Sequence, residues 1–67
     1  MNEVESPFFI EYLGALKGEK VTIKEVDGRI TKFTLMDYSF LNSTIILHSE
    51  ITFYNWDHII WLQKGWN

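Results

Sequence analysis

At Gly18 the spacing of apolar residues changes from a helical period to a strand period, and this change limits the possible folds. Before it, apolar residues recur three and four positions apart, as on one face of a helix: Phe9, Tyr12, Leu13 and Leu16. After it, residues 20–24 alternate polar and β-branched side chains, as a half-buried strand does. The sequence therefore predicts one helix followed by β-structure.

Signals at both ends set the limits of this helix. The Ser6 side chain can cap the first turn, and Pro7 suits a first-turn position where no N–H donor is needed. Gly18 can take the left-handed conformation that ends a helix, and Lys17 suits the negative end of the helix dipole. We predict a helix from about residue 7 to residue 17, after a frayed segment 1–5.

Short apolar or alternating runs, separated by turn signals, predict about five antiparallel strands over about 19–62. Asp27-Gly28 predicts a two-residue type I′ hairpin turn. The returning strand then runs from Arg29 to about Asp37, and 38–43 form a tight connection. The remaining predicted strands are 44–47, 51–56 and 58–62, with an irregular tail over 63–67. Such a series of strands favours a small closed barrel, which has no unpaired edges.

The chain has 67 residues, enough for a single domain over 1–67. A domain of this size hides only roughly 60% of the surface that its unfolded chain exposes. Because 46% of the residues are hydrophobic, we expect self-association to bury the remainder. The absence of cysteine excludes disulfides and thiolate metal sites and fits a cytoplasmic location. No apolar stretch approaches the ~20 residues of a membrane span.

The charge is uneven along the chain. A net charge of −3 argues against a binder that depends on many phosphate contacts. Five of the six cations nevertheless lie within one short segment, which predicts a locally basic face: Lys17, Lys20, Lys24, Arg29 and Lys32. The alternative interpretation of this segment is a solvated hairpin with mixed charges.

Catalytic and cofactor motifs are not recognisable. The four glycines form no phosphate-binding loop, and His48 and His58 lack the spacing of a metal-binding helix. Asp57 and His58 are neighbours that would point to opposite faces of a strand. We therefore predict no catalytic residue, no metal and no cofactor, and a protein that is not an enzyme.

The aromatic residues are candidate contacts for bases. Tyr38 and Phe40 lie in the predicted loop, where aromatic rings can stack on unpaired bases. For Trp56, Trp61 and Trp66 a place in the core or in a subunit interface is favoured instead.

Several segments resemble Sm-like proteins. The run Leu-Lys-Gly-Glu-Lys-Val-Thr-Ile over 16–23, followed by Asp27-Gly28-Arg29, is similar to the first hairpin of that family. Thr34-Leu35, Asp37 and Asn42 resemble the later part of the first Sm motif, and Trp-Asp-His-Ile-Ile over 56–60 resembles the end of the bacterial Hfq-like branch. Asp57 departs from this pattern, since that branch has a lysine there, and Phe33 replaces a glycine common in the family.

The resemblance implies a helix followed by a five-stranded, strongly bent, SH3-like antiparallel barrel that forms homo-oligomeric rings and binds single-stranded RNA. Tyr38 or Phe40 would stack on bases, with Asn42 and His58 as hydrogen-bonding partners and the five clustered cations on phosphates. The predicted oligomer interface comprises Ile51, Phe53, Trp56, Ile59 and Trp61. The alternative is a non-catalytic structural or protein-interaction barrel that oligomerises without binding nucleic acid.

Overall fold

A computed structural model describes the backbone of residues 7–66 and the side chains of residues 10–66. One helix, α1 (Pro7–Leu16), precedes six strands: β1 (Lys20–Glu25), β2 (Ile30–Thr34), β3 (Asp37–Leu41), β4 (Thr44–His48), β5 (Phe53–Asn55) and β6 (Ile59–Lys64). A short 3-10 helix, Trp56–His58, joins the last two strands. The prediction of a mainly β protein with one short helix is therefore confirmed. The predicted Ser6 cap, the segment 1–5, the Phe9 side chain and Asn67 lie outside the described part.

The strands form two antiparallel sheets of three strands each, in the orders β2-β1-β6 and β3-β4-β5. Over residues 7–66, no strand of one sheet pairs with a strand of the other. The expected closed five-stranded barrel is therefore not confirmed. Within the same residues, no helix is long and apolar enough to cross a membrane.

The predicted strand from Arg29 to Asp37 is divided at Leu35. The Leu35 N–H donates to the Glu19 carbonyl at 3.0 Å, and the Leu35 carbonyl accepts from the Gly18 N–H at 2.7 Å. One residue later, the Met36 N–H donates to the His48 carbonyl at 2.8 Å. The chain thus changes partner from the β1 side to β4 within two residues, and this change separates the two sheets.

The type I′ turn lies at Asn42-Ser43, not at Asp27-Gly28. Asn42 and Ser43 have φ of 51° and 67°, and both central residues of a type I′ turn need positive φ. They join β3 to β4 directly, with Leu41 opposite Thr44. The loop predicted over 38–43 was therefore wrong, because residues 38–41 belong to β3.

The β1–β2 hairpin has a three-residue loop instead. The Glu25 carbonyl accepts from the Gly28 N–H at 2.8 Å, and the Glu25 N–H donates to the Arg29 carbonyl at 2.9 Å. Gly28 alone in this loop has positive φ, 91°. A turn followed by one left-handed glycine is the usual form of a three-residue hairpin loop.

A single core fills the space between the helix and the two sheets. The helix contributes two leucines three residues apart, and the strands contribute residues from alternate positions. The core side chains are Leu13, Leu16, Val21, Ile23, Phe33, Leu35, Ile45, Leu47, Trp56 and Ile59. Phe33 stacks on Tyr54 with ring centroids 4.6 Å apart. The side of β1 that carries Lys20 and Lys24 therefore faces away from the core.

Candidate nucleic-acid interface

The sheet β2-β1-β6 has an outer face that carries three lysines. In β1, Val21 and Ile23 point into the core, so the alternate residues point outward. Residues directly opposite each other in antiparallel strands share a face. Lys32 lies opposite Thr22, and Lys24 lies opposite both Ile30 and Trp61. The outer face therefore brings Lys20, Lys24 and Lys32 together with Trp61.

Trp61 reaches this face because of a β-bulge in β6. Lys24 pairs with Trp61, but the next residue, Glu25, pairs with Ile59, so Ile60 is an extra residue. An extra residue changes the side to which the following side chains point. Ile59 consequently lies in the core while Trp61, two positions on, is exposed on the outer face.

Trp66 reaches the same face from the segment after β6. Gly65 has φ of 95°, and its N–H donates to the Lys20 carbonyl at 2.7 Å. The buried Thr22 hydroxyl donates to the Gly65 carbonyl at 2.6 Å. The Trp66 indole N–H donates to the Phe33 carbonyl at 3.2 Å. These bonds hold the Trp66 ring across β1, beneath the Lys20 ammonium, which is 4.7 Å from its centroid.

We call the surface formed by Lys20, Lys24, Lys32, Trp61 and Trp66 the lysine–tryptophan face. Its three ammonium groups form no ion pair with any residue of the described part of the chain. Two of the other cations are partly neutralised, since Lys17 is 3.4 Å from Asp37 and Arg29 is 3.6 Å from Asp27. Of the four cations without an ion pair among the described residues, three therefore lie on this face, although the whole chain is acidic.

The two aromatic residues predicted to stack on bases occupy different settings. Tyr38 lies opposite Leu47 in β3, is half-buried and packs against the core. Phe40 is 60% exposed and meets Tyr38 edge-on, with centroids 6.1 Å apart. Both are strand residues, so the loop in which they were expected to act is not present. Asn42, their predicted partner, forms the turn that follows.

Asp37 fixes Lys17 beside Tyr38. The Tyr38 backbone N–H donates to the Asp37 carboxylate at 2.8 Å. This hydrogen bond first, and the Lys17 ammonium second, lower the pKa of the Asp37 carboxyl below its ordinary value. Lys17 is also 6.0 Å from the Tyr38 ring centroid. Lys17 is thus engaged locally and lies apart from the lysine–tryptophan face.

His58 is exposed at the end of the 3-10 helix, where its backbone carbonyl accepts from the Val26 N–H at 2.8 Å. That contact is beside the β1–β2 loop, at the opposite end of β1 from Lys20 and Trp66. The predicted RNA-binding residues are therefore divided among several surfaces. Lys20, Lys24 and Lys32 share one face, whereas Lys17, Tyr38 and Phe40 lie together on another surface.

The predicted oligomer interface divides into exposed and buried residues. Ile51 and Phe53 are 93% and 67% exposed, and Trp61 is 37% exposed. Trp56 and Ile59, in contrast, are 2% and 1% exposed within one chain. Their inclusion in the interface is corrected, because the core of the single molecule already covers both side chains.

Sequence reasoning missed Trp61 and Trp66 as members of the candidate site. Alternation along β6 would have put Trp61 on the same side as Ile59, and only the bulge separates them. Trp66 follows a glycine with positive φ, and no local pattern indicates where the chain turns next. Comparison of the chain with protein-family models, curated proteins and solved structures finds no match. The resemblance to Sm-like proteins stays a prediction.

Proposed function

We propose that this protein is a non-catalytic binder of single-stranded RNA and that the lysine–tryptophan face is its binding surface. One observation carries the proposal: this face holds two lysine–tryptophan pairs, with Lys24 opposite Trp61 and Lys20 over Trp66. Unpaired nucleic acid likewise offers a phosphate beside each base face. Aromatic stacking contributes about 1–3 kcal/mol per base and tolerates any sequence.

The charge of the chain sets the expected strength of binding. Three lysines can neutralise about three phosphates, which is few for a nucleic-acid protein. The remainder of the molecule is acidic and repels a strand that leaves the face. We therefore expect binding that is short in footprint, depends on the two tryptophans and weakens readily with salt.

The proposal keeps the predicted RNA function and changes the residues that perform it. Lys20, Lys24 and Lys32 remain phosphate contacts, whereas Trp61 and Trp66 replace Tyr38 and Phe40 as stacking groups. Arg29 and Lys17 become peripheral because each already faces an aspartate.

We also propose the Sm-like arrangement, in which β2 and β3 are two halves of one bent strand in a five-stranded barrel and copies assemble into a ring. The support is the short junction at Leu35 and Met36, which leaves no loop between these strands. The terminal strands of the two sheets include β5 and β6. Such edges can pair with other chains, and Phe53 is exposed on β5.

A second candidate is a structural or protein-interaction module that oligomerises without nucleic acid. It is favoured by exposed apolar residues that are not members of the lysine–tryptophan face. Ile51 and Phe53 are the two most exposed large apolar residues of the described part of the chain, and Leu41 is 57% exposed. In this case the apolar residues would be buried between chains and the lysines would serve only solubility.

Titration of fluorescent oligouridine at about 50 mM salt distinguishes the two candidates. We expect binding that falls severalfold in Lys24→Gln and in Trp61→Ala. The matched control is Lys64→Gln, because Lys64 lies opposite Val21 and so belongs to the other face of β6. Absence of binding by the native chain, or an equal loss in the Lys64 variant, would reject the proposed surface. Light scattering on the same samples measures the number of copies.

A further inference from the structure

A cavity of about 300 Å³ adjoins the lysine–tryptophan face. Its lining includes Lys32, Thr34, Ser49, Glu50 and Trp66. The volume lies at the small end of the range for ligand pockets. Because Lys32 and Trp66 belong to both the cavity and the face, the two sites are continuous.

The edge of β2 presents free backbone groups to this cavity. The hydrogen bonds of Glu25 with Arg29 and of Leu35 with Glu19 show which opposite residue pairs of β1 and β2 are hydrogen-bonded. In an antiparallel ladder, alternate residues bond to the partner strand, and the others point away from it. Lys32 and Thr34 are the residues that point away. Their N–H and C=O groups have no hydrogen-bond partner among the described residues and are available to a ligand.

The two sides of the cavity are held in place by hydrogen bonds. On one side, the Trp66 ring is fixed by its bond to the Phe33 carbonyl and by Lys20 over the ring. On the other, the loop that carries Glu50 is closed by the Ser49 N–H, which donates to the Thr52 carbonyl at 2.9 Å. The Ser49 hydroxyl oxygen accepts from the Thr52 N–H at 3.0 Å. Trp66 and the loop that carries Glu50 thus both line the cavity, and hydrogen bonds fix the backbone of each segment.

We propose that this cavity binds one unpaired guanine base of the RNA strand. The inference rests on the proposed function and adds a base preference to it. Packed against the part of the Trp66 ring that Lys20 leaves exposed, guanine presents two adjacent N–H donors to the Glu50 carboxylate, which can accept both. Its O6 and N7 acceptors suit the Lys32 ammonium. Guanine therefore matches both charged groups of the cavity at once.

The other bases match the cavity less well. Adenine and cytosine each have an exocyclic amine as their sole donor on the pairing edge. Uracil has one N–H flanked by two carbonyl oxygens, which repel a carboxylate. Glu50 therefore selects against uracil as well as for guanine. Both effects increase the affinity of the guanine strand relative to the all-uridine strand.

The test compares uridine 9-mers that differ at the central base, which is guanine, adenine, cytosine or uridine, at one low salt concentration. With the native chain we expect the guanine strand to bind about tenfold more tightly than the all-uridine strand, within the discrimination of one well-matched base contact. Glu50→Gln should remove this preference and leave oligouridine binding within about twofold. Glu11→Gln, an exposed carboxylate on α1 that does not line the cavity, should keep the preference.

Each outcome decides a different question. Salt-sensitive binding of all strands with equal affinity, or a guanine preference that survives in Glu50→Gln, overturns the cavity assignment and leaves the proposed function intact. Absence of binding by every strand rejects the proposed function and the cavity together. A guanine preference lost in the Glu50 variant alone supports both. Two-dimensional NMR provides a second readout, since the guanine strand alone should shift the amide signals of Ser49–Ile51.

Discussion

The Lys20 ammonium lies 4.7 Å from the centroid of the Trp66 ring, so the first residue of β1 contacts the segment that follows the last strand. A cation over a tryptophan ring contributes about 0.5–1 kcal/mol at an exposed site. The contact also keeps a positive charge next to a stacking surface. This pair links the stability of the chain end to the proposed binding surface.

The salt dependence of RNA binding should reflect the number of lysines on the lysine–tryptophan face that contact phosphates. For single strands, the slope of log K against log salt is about −0.7 per neutralised phosphate. With Lys20, Lys24 and Lys32 as the contacts, we expect a slope of about −2. Lys32→Gln should reduce the magnitude of the slope by about 0.7, measured by fluorescence anisotropy between about 50 and 200 mM salt. A slope unchanged in that variant would contradict the assignment.

Thr22→Val should destabilise the protein by removing a hydrogen bond to the segment that follows β6. Thr22 is buried and its hydroxyl donates to the Gly65 carbonyl. Valine preserves the shape but removes the donor, so we expect the free energy of unfolding to fall by about 1 kcal/mol. Urea denaturation measures this change. Thr34→Val is the control, because the Thr34 hydroxyl has no hydrogen bond within the described residues. Equal effects of the two substitutions would show that the Thr22–Gly65 bond is not the cause.

Ser43→Gly should stabilise the protein. Ser43 has φ of 67° in a type I′ turn, and Asn-Gly is the preferred pair for this turn. Relief of the left-handed strain, about 1 kcal/mol or more, exceeds the entropic cost of a glycine. We expect a gain of about 0.5 kcal/mol in the free energy of unfolding. Gly28→Ala is the opposite control and should destabilise the chain, since Gly28 has φ of 91°. A loss of stability in Ser43→Gly would argue against the type I′ geometry.

Stability should depend on pH through Asp37. Its pKa in the folded state is lowered from 3.8, first by the Tyr38 N–H and then by Lys17. The stabilisation by the ionised carboxylate is therefore complete above the unfolded-state pKa and is lost as the pH falls through the folded-state value. Asp37→Asn should lower the free energy of unfolding at pH 7, and its difference from the native chain should shrink in acid below 3.8.

The comparison of urea midpoints at the two pH values tests this expectation. In a Lys17→Gln background, Asp37→Asn should still lower the free energy of unfolding more at pH 7 than in acid, but by a smaller amount. The effect persists because the Tyr38 N–H still donates to the Asp37 carboxylate. A difference between Asp37→Asn and the native chain that is constant with pH would show that Asp37 ionisation does not contribute.

Alanine substitution should reduce the free energy of unfolding strongly at a core apolar residue and little at a surface one. Trp56 is 2% exposed and Ile51 is 93% exposed. Trp56→Ala should cost about 3–5 kcal/mol, which is comparable to the whole stability of so small a domain, and circular dichroism should report unfolding. Ile51→Ala should change the free energy of unfolding by less than about 0.5 kcal/mol. A folded, stable Trp56→Ala variant would contradict the single-chain core.

The local elements were predictable where short-range chemistry determines them. The α1 face with Leu13 and Leu16, the stop near Gly18 and the alternation of β1 depend on residues within a few positions of each other. The division of the predicted second strand was not predictable, because Leu35 and Met36 change partners through bonds to Glu19 and His48. The turn types were also exchanged, since Asn42-Ser43 has the geometry that Asp27-Gly28 suggested.

For the candidate site, the sequence located the cations but not their neighbours. Lys20 and Lys24 share a face because a strand alternates with a period of two, which local order determines. The sequence by itself thus determined the helix, the strand content and one lysine-bearing side of β1. Only the tertiary structure brought Trp61 and Trp66 beside those lysines. A β-bulge and a left-handed Gly65 redirect these side chains, and both depend on pairing between β1 and a strand at the other end of the chain.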